Sequence, residues 1–307
     1  MTEQTPTLVW AQYQRGVDYL YNLDNFFEKI RINEHFWDGK QWIGLETKNM
    51  PTPVFNVLQR AGKFMVSTIG SNDIAVNIIP FTSLADDIEH MVPVAKEVEH
   101  IIEVARMKEA SKHVIRNAFV DGCGYMMQSF DPDIETGQLC QGAIKNQIVD
   151  NTCVFFGNPF SNDLQGQPYI IVALRQDVNQ VRQEAMELGM SKEDAMMISP
   201  DNEGLHVNEE IATNLVTVLF KFWKQKSEVE EETIDPTTGM KVKEKRTKKT
   251  VWFTKTTRNS VIKAPIDLGY KRYPLACFGW DVIKNSYMYS SPMTNVIQNQ
   301  VFINKCF

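Results

Sequence analysis

From Trp10 to about Phe36 apolar residues recur at three- and four-residue steps, at Tyr13, Val17, Leu20, Tyr21, Phe27 and Ile30, which predicts helix. "NMPTPVFN" (49–56) breaks that period, because residues before proline avoid the helical region. A second helix is expected from Val57 to about Ser71, and "AVNIIPF" (75–81) reads as a short strand closed by Pro80. The longest periodic stretch runs from Leu84 to about Val120, with Ile88, Met91, Val92, Ala95, Val98, Ile101, Ile102, Val104 and Ala105 in one stripe. Pro93 sits inside it and either kinks this helix or starts a new one, since it lacks the N–H and crowds the carbonyl four residues back.

After residue 120 the period shortens towards two. "DGCGYMMQSFD" (121–131) supplies a glycine-rich helix exit and a strand. "DPDIETG" (131–137) is a hairpin connection leading to the strands "AIKNQIVD" and "TCVFFG". "NPFSNDLQGQP" (158–168) is a loop by composition and leads to the apolar strand "YIIVALR". A helix is expected from about Val178 to Leu188, closed by Gly189, and Ser191 with Asp194 resembles a capping box for another. "TNLVTVLFKFWKQ" alternates and is rich in β-branched and aromatic residues, so it reads as a strand. It continues into acidic "SEVEEETID", turns at "DPTTG" (235–239) and returns as basic "MKVKEKRTKK", after which "TVWFTKTTRNSVI" alternates again. This is a long hairpin with opposite charge on its two arms, which fixes register and discourages pairing with other sheets. "PIDLGYKRYP" leaves it as an irregular loop. A last helix starts after Pro292 with Val296, Ile297, Val301, Phe302 and Phe307 as its apolar stripe. It shows no C-cap, glycine or terminal basic turn, the pattern expected of a truncated or split product. Helices, short strands and hairpins in this order make the expected class α+β.

Composition narrows the function. The 307 residues suffice for about two domains. Hydrophobic residues at 43% and charged residues at 23% exclude a disordered chain. A net charge of −6 excludes electrostatic capture of DNA or an anionic membrane by the chain as a whole. The N-terminus carries no basic segment followed by an apolar run, and no window approaches the length of a membrane span. Cys123, Cys140, Cys153, Cys277 and Cys306 have wide, irregular spacing that fits neither a disulfide framework nor a zinc pattern, so buried free thiols in a reducing compartment are expected.

Candidate chemistry is sparse. Gly122 and Gly124 form a bare GxG without the context of a phosphate site, and P-loop, GxSxG and HExxH patterns are absent. Asp87 with His90, and Glu97 with His100, stand at i, i+3, as a metal pair on a helix requires. A di-iron bundle needs two more carboxylates on partner helices, and Pro93 disturbs the geometry between the pairs, so solvated charge on an amphipathic helix is the reading preferred. His35, His113 and His206 have no Ser or Cys partner at a recognisable spacing, so no catalytic residue, cofactor or metal is expected. In "NEHFWDGKQWIG" (33–44) the Asp38-Gly39 turn is flanked by Phe36, Trp37 and Trp42, which either pin the turn to a core or form an interface hot spot. The basic run Lys241–Lys249, with Lys243, Lys245, Arg246, Lys248 and Lys249, either touches phosphates or pairs with Glu230, Glu231 and Glu232 across the turn.

The order of these patterns carries a resemblance. "FWDGKQW", "PTPVFNVLQRAGKFMVSTIGSNDIAVNIIP", "RNAFVDGCGYMMQSFD", "VFFGNPFSNDLQGQPYIIV", the charged hairpin, "GYKRYPL" and "QNQVFIN" resemble the portal proteins of tailed bacteriophages, of the kind found in short-tailed phages such as P22. The F–W–x–G–x–Q–W run, Asn56, and Gln300 with Asn304 carry it most directly. The resemblance implies a homo-oligomeric ring, a dodecamer in that family, at one capsid vertex of the virion. Double-stranded DNA is packaged through the ring by a separate terminase and later ejected, without sequence specificity. Capsid and tail-adaptor proteins are the further partners, with no enzyme activity, no cofactor and no membrane. It implies a wing over residues 1–175, a helical stem segment over 176–210, a clip-like charged hairpin over 211–275 and the start of a returning stem helix over 276–307. Glu230, Glu231, Glu232, Lys243, Lys245, Arg246, Lys248 and Lys249 would then lie at a clip interface, and Trp37, Gly39 and Trp42 would be scaffold anchors. Two alternatives stay open: a head–tail or capsid interaction protein that makes no ring, and a metal-dependent helical enzyme using Glu97 and His100.

Overall fold

A computed structural model describes residues 4–23, 25–44, 51–71, 78–79, 85–135, 141–201, 214–234 and 241–306. The chain is α+β. Its first half runs α1 (Pro6–Asn22), α2 (Phe26–Trp37), α3 (Val57–Gly70), α4 (Ala85–Val104), α5 (Met107–Asp121), β1 (Cys123–Asp131), β2 (Ala143–Val149) and β3 (Val154–Phe156). There follow β4 (Tyr169–Asp177), α6 (Val178–Glu187), α7 (Lys192–Met196), β5 (Leu215–Ile234), β6 (Lys241–Thr256) and β7 (Val261–Asp267). Last come β8 (Leu275–Gly279), β9 (Asp281–Val282), β10 (Tyr289–Ser290) and α8 (Pro292–Cys306).

These elements form two compact units, each discontinuous in sequence. One comprises Met1–Asn25 and Thr152–Tyr273, the other Phe26–Asn151 and Pro274–Phe307. The first is built on an antiparallel sheet of order β3-β4-β5-β6-β7. Helix α1 opens with Pro6 and a Thr5 cap, whose Oγ1 accepts from Leu8 N at 3.3 Å. It buries Tyr13 edge-on against Phe155 at 5.1 Å. Helix α6 covers the sheet through Val178, Val181 and Ala185, which join Ile198, Val216, Val218 and Ile262 in one cluster.

The second unit joins an antiparallel sheet of order β2-β1-β8 to α2, α3, α5 and α8. Phe36, Trp37, Leu58, Phe119, Val120, Met293 and Ile297 form its helical core. Gly122 ends α5 at φ +95°, and a Cβ there would stand 2.2 Å from the Tyr289 carbonyl oxygen, so the position admits only glycine. Thus "DGCG" is a helix stop and close contact, with strand β1 following at once.

The predicted helix from Trp10 to Phe36 is two helices, because Asn25 takes φ +54° at a sequence rich in Asn and Asp. The long helix from Leu84 also divides, at Ala105–Arg106 and not at Pro93, which α4 contains. Arg106 is left-handed at φ +48°. "TVWFTKTTRNSVI" is split by a turn in which Thr257 N donates to Ser260 O at 2.9 Å. Part of "PIDLGYKRYP" belongs to β7, an edge strand, where Pro265 is tolerated. The last helix buries Met293, Ile297, Gln300 and Asn304, while Val296 and Phe302 of the expected stripe are exposed. Of the cysteines, Cys123 is buried and free but Cys306 is exposed, which corrects the expectation of uniformly buried thiols. The strand expected at 75–81 and the turn at 235–239 fall mainly or wholly outside the described residues, as does Cys140.

Candidate functional site

Two features concentrate the residues singled out in the sequence, and the first is a buried junction of amide side chains. Helix α2 ends in a glycine-closed cap: Lys40 N donates to His35 O at 2.8 Å and Gly39 N to Phe36 O at 3.3 Å, with Gly39 at φ +79°. The carbonyls left over at this end are met by side chains from elsewhere. Gln41 Nε2 donates to Phe36 O at 2.9 Å, Asn56 Nδ2 to Phe36 O and Trp37 O at 3.0 and 3.1 Å, and Gln59 Nε2 to Trp37 O at 3.0 Å.

Asn56 also caps α3, its Oδ1 accepting from Gln59 N at 3.0 Å. The other free amides at that helix start go to α8. Gln300 Oε1 accepts from Val57 N and Leu58 N at 3.1 and 3.3 Å, and Asn304 Oδ1 accepts from Phe55 N at 3.2 Å. Gln300 Nε2 donates to Phe55 O and Asn304 Oδ1, and Asn304 Nδ2 to Gln41 Oε1. One end of α2, the start of α3 and the middle of α8 are thereby tied by polar groups that are 4% exposed or less at Gln41, Gln300 and Asn304. Every side chain in the tie is a neutral amide, with no nucleophile and no proton to give. It holds elements together.

Trp37 is buried beside this tie, 6.1 Å from the Phe119 ring, with the Arg116 guanidinium 5.3 Å above its face. Arg116 is paired through both terminal nitrogens with Glu34, at 2.6 Å each. Trp42 is half-buried and donates through Nε1 to Pro53 O at 3.0 Å. Sequence reasoning found Gln41, the Q of F–W–x–G–x–Q–W, with Asn56, Gln300 and Asn304 as parts of a resemblance but missed Gln59. The signal for Gln41 was present in F–W–x–G–x–Q–W: a polar residue two positions past a helix-closing glycine, placed to turn back on the open carbonyls.

The second feature is the β5–β6 hairpin, paired without interruption from Leu219–Thr256 to Ile234–Lys241. Its register sets Glu230 opposite Lys245 and Glu232 opposite Lys243, but Glu231 opposite Glu244. In the same register Arg246 stands opposite Val229, Lys248 opposite Ser227 and Lys249 opposite Lys226. In the backbone register, opposite charges therefore stand directly across at two rungs near the turn.

At its base the hairpin buries two lysines. Lys255 Nζ pairs with Glu184 Oε2 at 2.5 Å, over the Phe220 ring. Lys221, 2% exposed, lies over the Tyr169 and Trp223 rings and donates to Gln4 and Gln12. Loss of hydration lowers its pKa to about 8. In the other unit burial and the charge of Glu34 push the Asp121 and Asp150 carboxyls up, Asp121 the further.

Glu97 and His100 lie on α4, and no set of three or more His, Cys, Asp or Glu side chains that would hold a metal occurs among the described residues. The side chains of Asp87 and His90 fall outside them. No helix among the described residues is long and apolar enough to cross a membrane.

Compared with known families, residues 13–307 match the model of the phage P22-like portal protein. No curated protein matches the chain.

Proposed function

The chain belongs to the phage P22-like portal protein family, and from that premise we propose that it is a subunit of the head-to-tail connector. In this proposal copies of the chain form a ring at one capsid vertex, through which double-stranded DNA is packaged and later ejected. The observation that carries the reading is the extent of the family match, which takes in both ends of the amide junction and the hairpin between them. The family is structural, and the proposed role needs no catalytic residue and no cofactor.

Physical chemistry supports a conduit. Each phosphate contact adds affinity and also resistance to sliding, so a channel protein gains from a net acidic balance such as −6. The amide junction suits a part that must keep its shape under load, because its bonds do not titrate. The segments 1–175, 176–210, 211–275 and 276–307 are proposed as wing, stem, clip and returning stem. Within the clip, the charged rungs at Glu230, Glu232, Lys243 and Lys245, with Glu231, Arg246, Lys248 and Lys249, are proposed to meet neighbouring subunits and then terminase or tail adaptors. Trp37, Gly39 and Trp42 are proposed as scaffold anchors of the wing.

Negative-stain electron microscopy of the purified protein tests this reading. Rings with a central hole are expected. Compact single particles at every concentration would remove the ring and leave a head–tail interaction protein that acts without one.

A further inference from the structure

Two helices of the second unit leave apolar surface incompletely covered, and their charges are opposite. On α3, Val57, Ala61, Phe64, Met65 and Thr68 fall at i, i+4, i+7, i+8 and i+11, which is one face of a helix. All five are exposed, Phe64 at 72% and Met65 at 45%. Arg60 and Lys63 border this face, and α3 has no acid. Neither cation finds a carboxylate among the described residues; Lys63 Nζ reaches only Gln59 Oε1, at 3.1 Å.

Helix α4 is the complement. Its stripe Met91, Ala95, Val98 and Ile102 is only half-buried, and none of its residues from 91 to 104 is buried. Val92, at 57% exposure, shares the adjoining face with Glu99 and Glu103, at i+7 and i+11. The helix sequence carries Asp86, Asp87, Glu89, Glu97, Glu99 and Glu103 against Lys96 and the histidines His90 and His100. Glu97, Glu99 and Glu103 make no ion pair among the described residues.

Exposed apolar area of this kind marks an interaction surface. A basic apolar face and an acidic apolar face on the same chain form a heterologous pair, the arrangement that closes into a ring when the rotation between copies permits. We infer that α3 of one subunit docks on α4 of the next copy of this chain, with Phe64 and Met65 against the Met91–Ile102 stripe and Arg60 and Lys63 facing Glu99 and Glu103. This deepens the ring reading and rests on it. The partner is a second copy because the same chain supplies both complementary faces.

The test is charge reversal followed by restoration, read by mass photometry and sedimentation velocity on the full chain. Arg60→Glu with Lys63→Glu is expected to weaken association by about tenfold or more, since like charges then face each other across the contact. Adding Glu99→Lys and Glu103→Lys to the same chain is expected to restore it. All four positions are exposed, and circular dichroism checks that each variant is folded. Assembly that ignores the first pair of changes, or a loss that the second pair does not restore, overturns this contact while the ring stands. A wild-type chain that stays monomeric overturns both the contact and the ring.

Discussion

Gln300 makes four hydrogen bonds from a position 1% exposed, and among them only the one from Leu58 N ends on a group with no other bond among the described residues. Truncating it leaves the buried Leu58 N without its partner, while Val57 N and Phe55 O keep the 2.8 Å bond they make to each other. Leaving buried polar groups unpaired is among the few mechanisms that give a large loss from one substitution. Gln300→Ala is therefore expected to destabilise the protein by about 1–3 kcal/mol in urea unfolding. Gln183→Ala, which removes one exposed bond to Glu187, should stay within about 0.5 kcal/mol. Equal effects from the two would show that the junction contributes nothing to stability. Gln300 and Asn304 were hard to place from the sequence because they share one face with Met293 and Ile297. Hydrophobicity alone set the expected stripe at Val296, Ile297, Val301, Phe302 and Phe307, of which Ile297 is buried and Val296 and Phe302 are exposed. A spacing of i, i+4 between amides on a core-facing stripe is legible only once the partners on α2 and α3 are known.

Helix α3 crosses α2 and α5 at Gly62, where a Cβ would stand 2.5 Å from Trp37 Cζ3 and 2.6 Å from Phe119 Cε1. Two effects oppose each other in Gly62→Ala. Helix propensity favours alanine by about 1 kcal/mol. Forcing two buried rings apart costs about 1–3 kcal/mol, because neither ring has a free direction to move in a packed core. The variant is expected to melt lower than the parent, and a higher melting temperature would refute the close crossing. At this scale most helices and strands followed from periodicity, and the helix interruptions did not. The break at Asn25 has a local cause that Asn-rich sequence hints at. The one at Arg106 does not: the apolar stripe runs straight through it, and arginine has no preference for a left-handed conformation. What satisfies the interrupted helix is Asn146, whose Nδ2 donates to Ala105 O at 3.1 Å from strand β2. A partner 41 residues away leaves no mark on the local pattern.

For the whole molecule the decisive fact is that the two units interleave along the chain, with β8 returning to pair with β1 from 148 to 156 positions away, as Met127 with Leu275 and Cys123 with Gly279 show. No linear division of the sequence displays that pairing, because strand partners this distant share no local signal. The units also bury different ionisable groups, so their stabilities should respond to pH in opposite senses. Lys221 belongs to the unit built on the five-stranded sheet, and its pKa falls from 10.5 to about 8 on folding. Between those values the unfolded chain binds more protons, so this unit gains stability as pH rises from about 8 towards 10.5. Asp121 and Asp150 belong to the other unit, and their folded pKa values lie above 3.8. There the folded state binds more protons, so that contribution is complete below pH 3.8 and is lost as pH rises through the folded values. Two melting transitions followed by calorimetry should therefore shift separately, one upward on moving from pH 8 to pH 10 and the other upward on mild acidification. Lys221→Met should flatten the alkaline response alone and Asp121→Asn should weaken the acidic response alone. If either substitution altered both transitions alike, the two units would be a single cooperative body, and the burial of each charge would be felt by the whole chain.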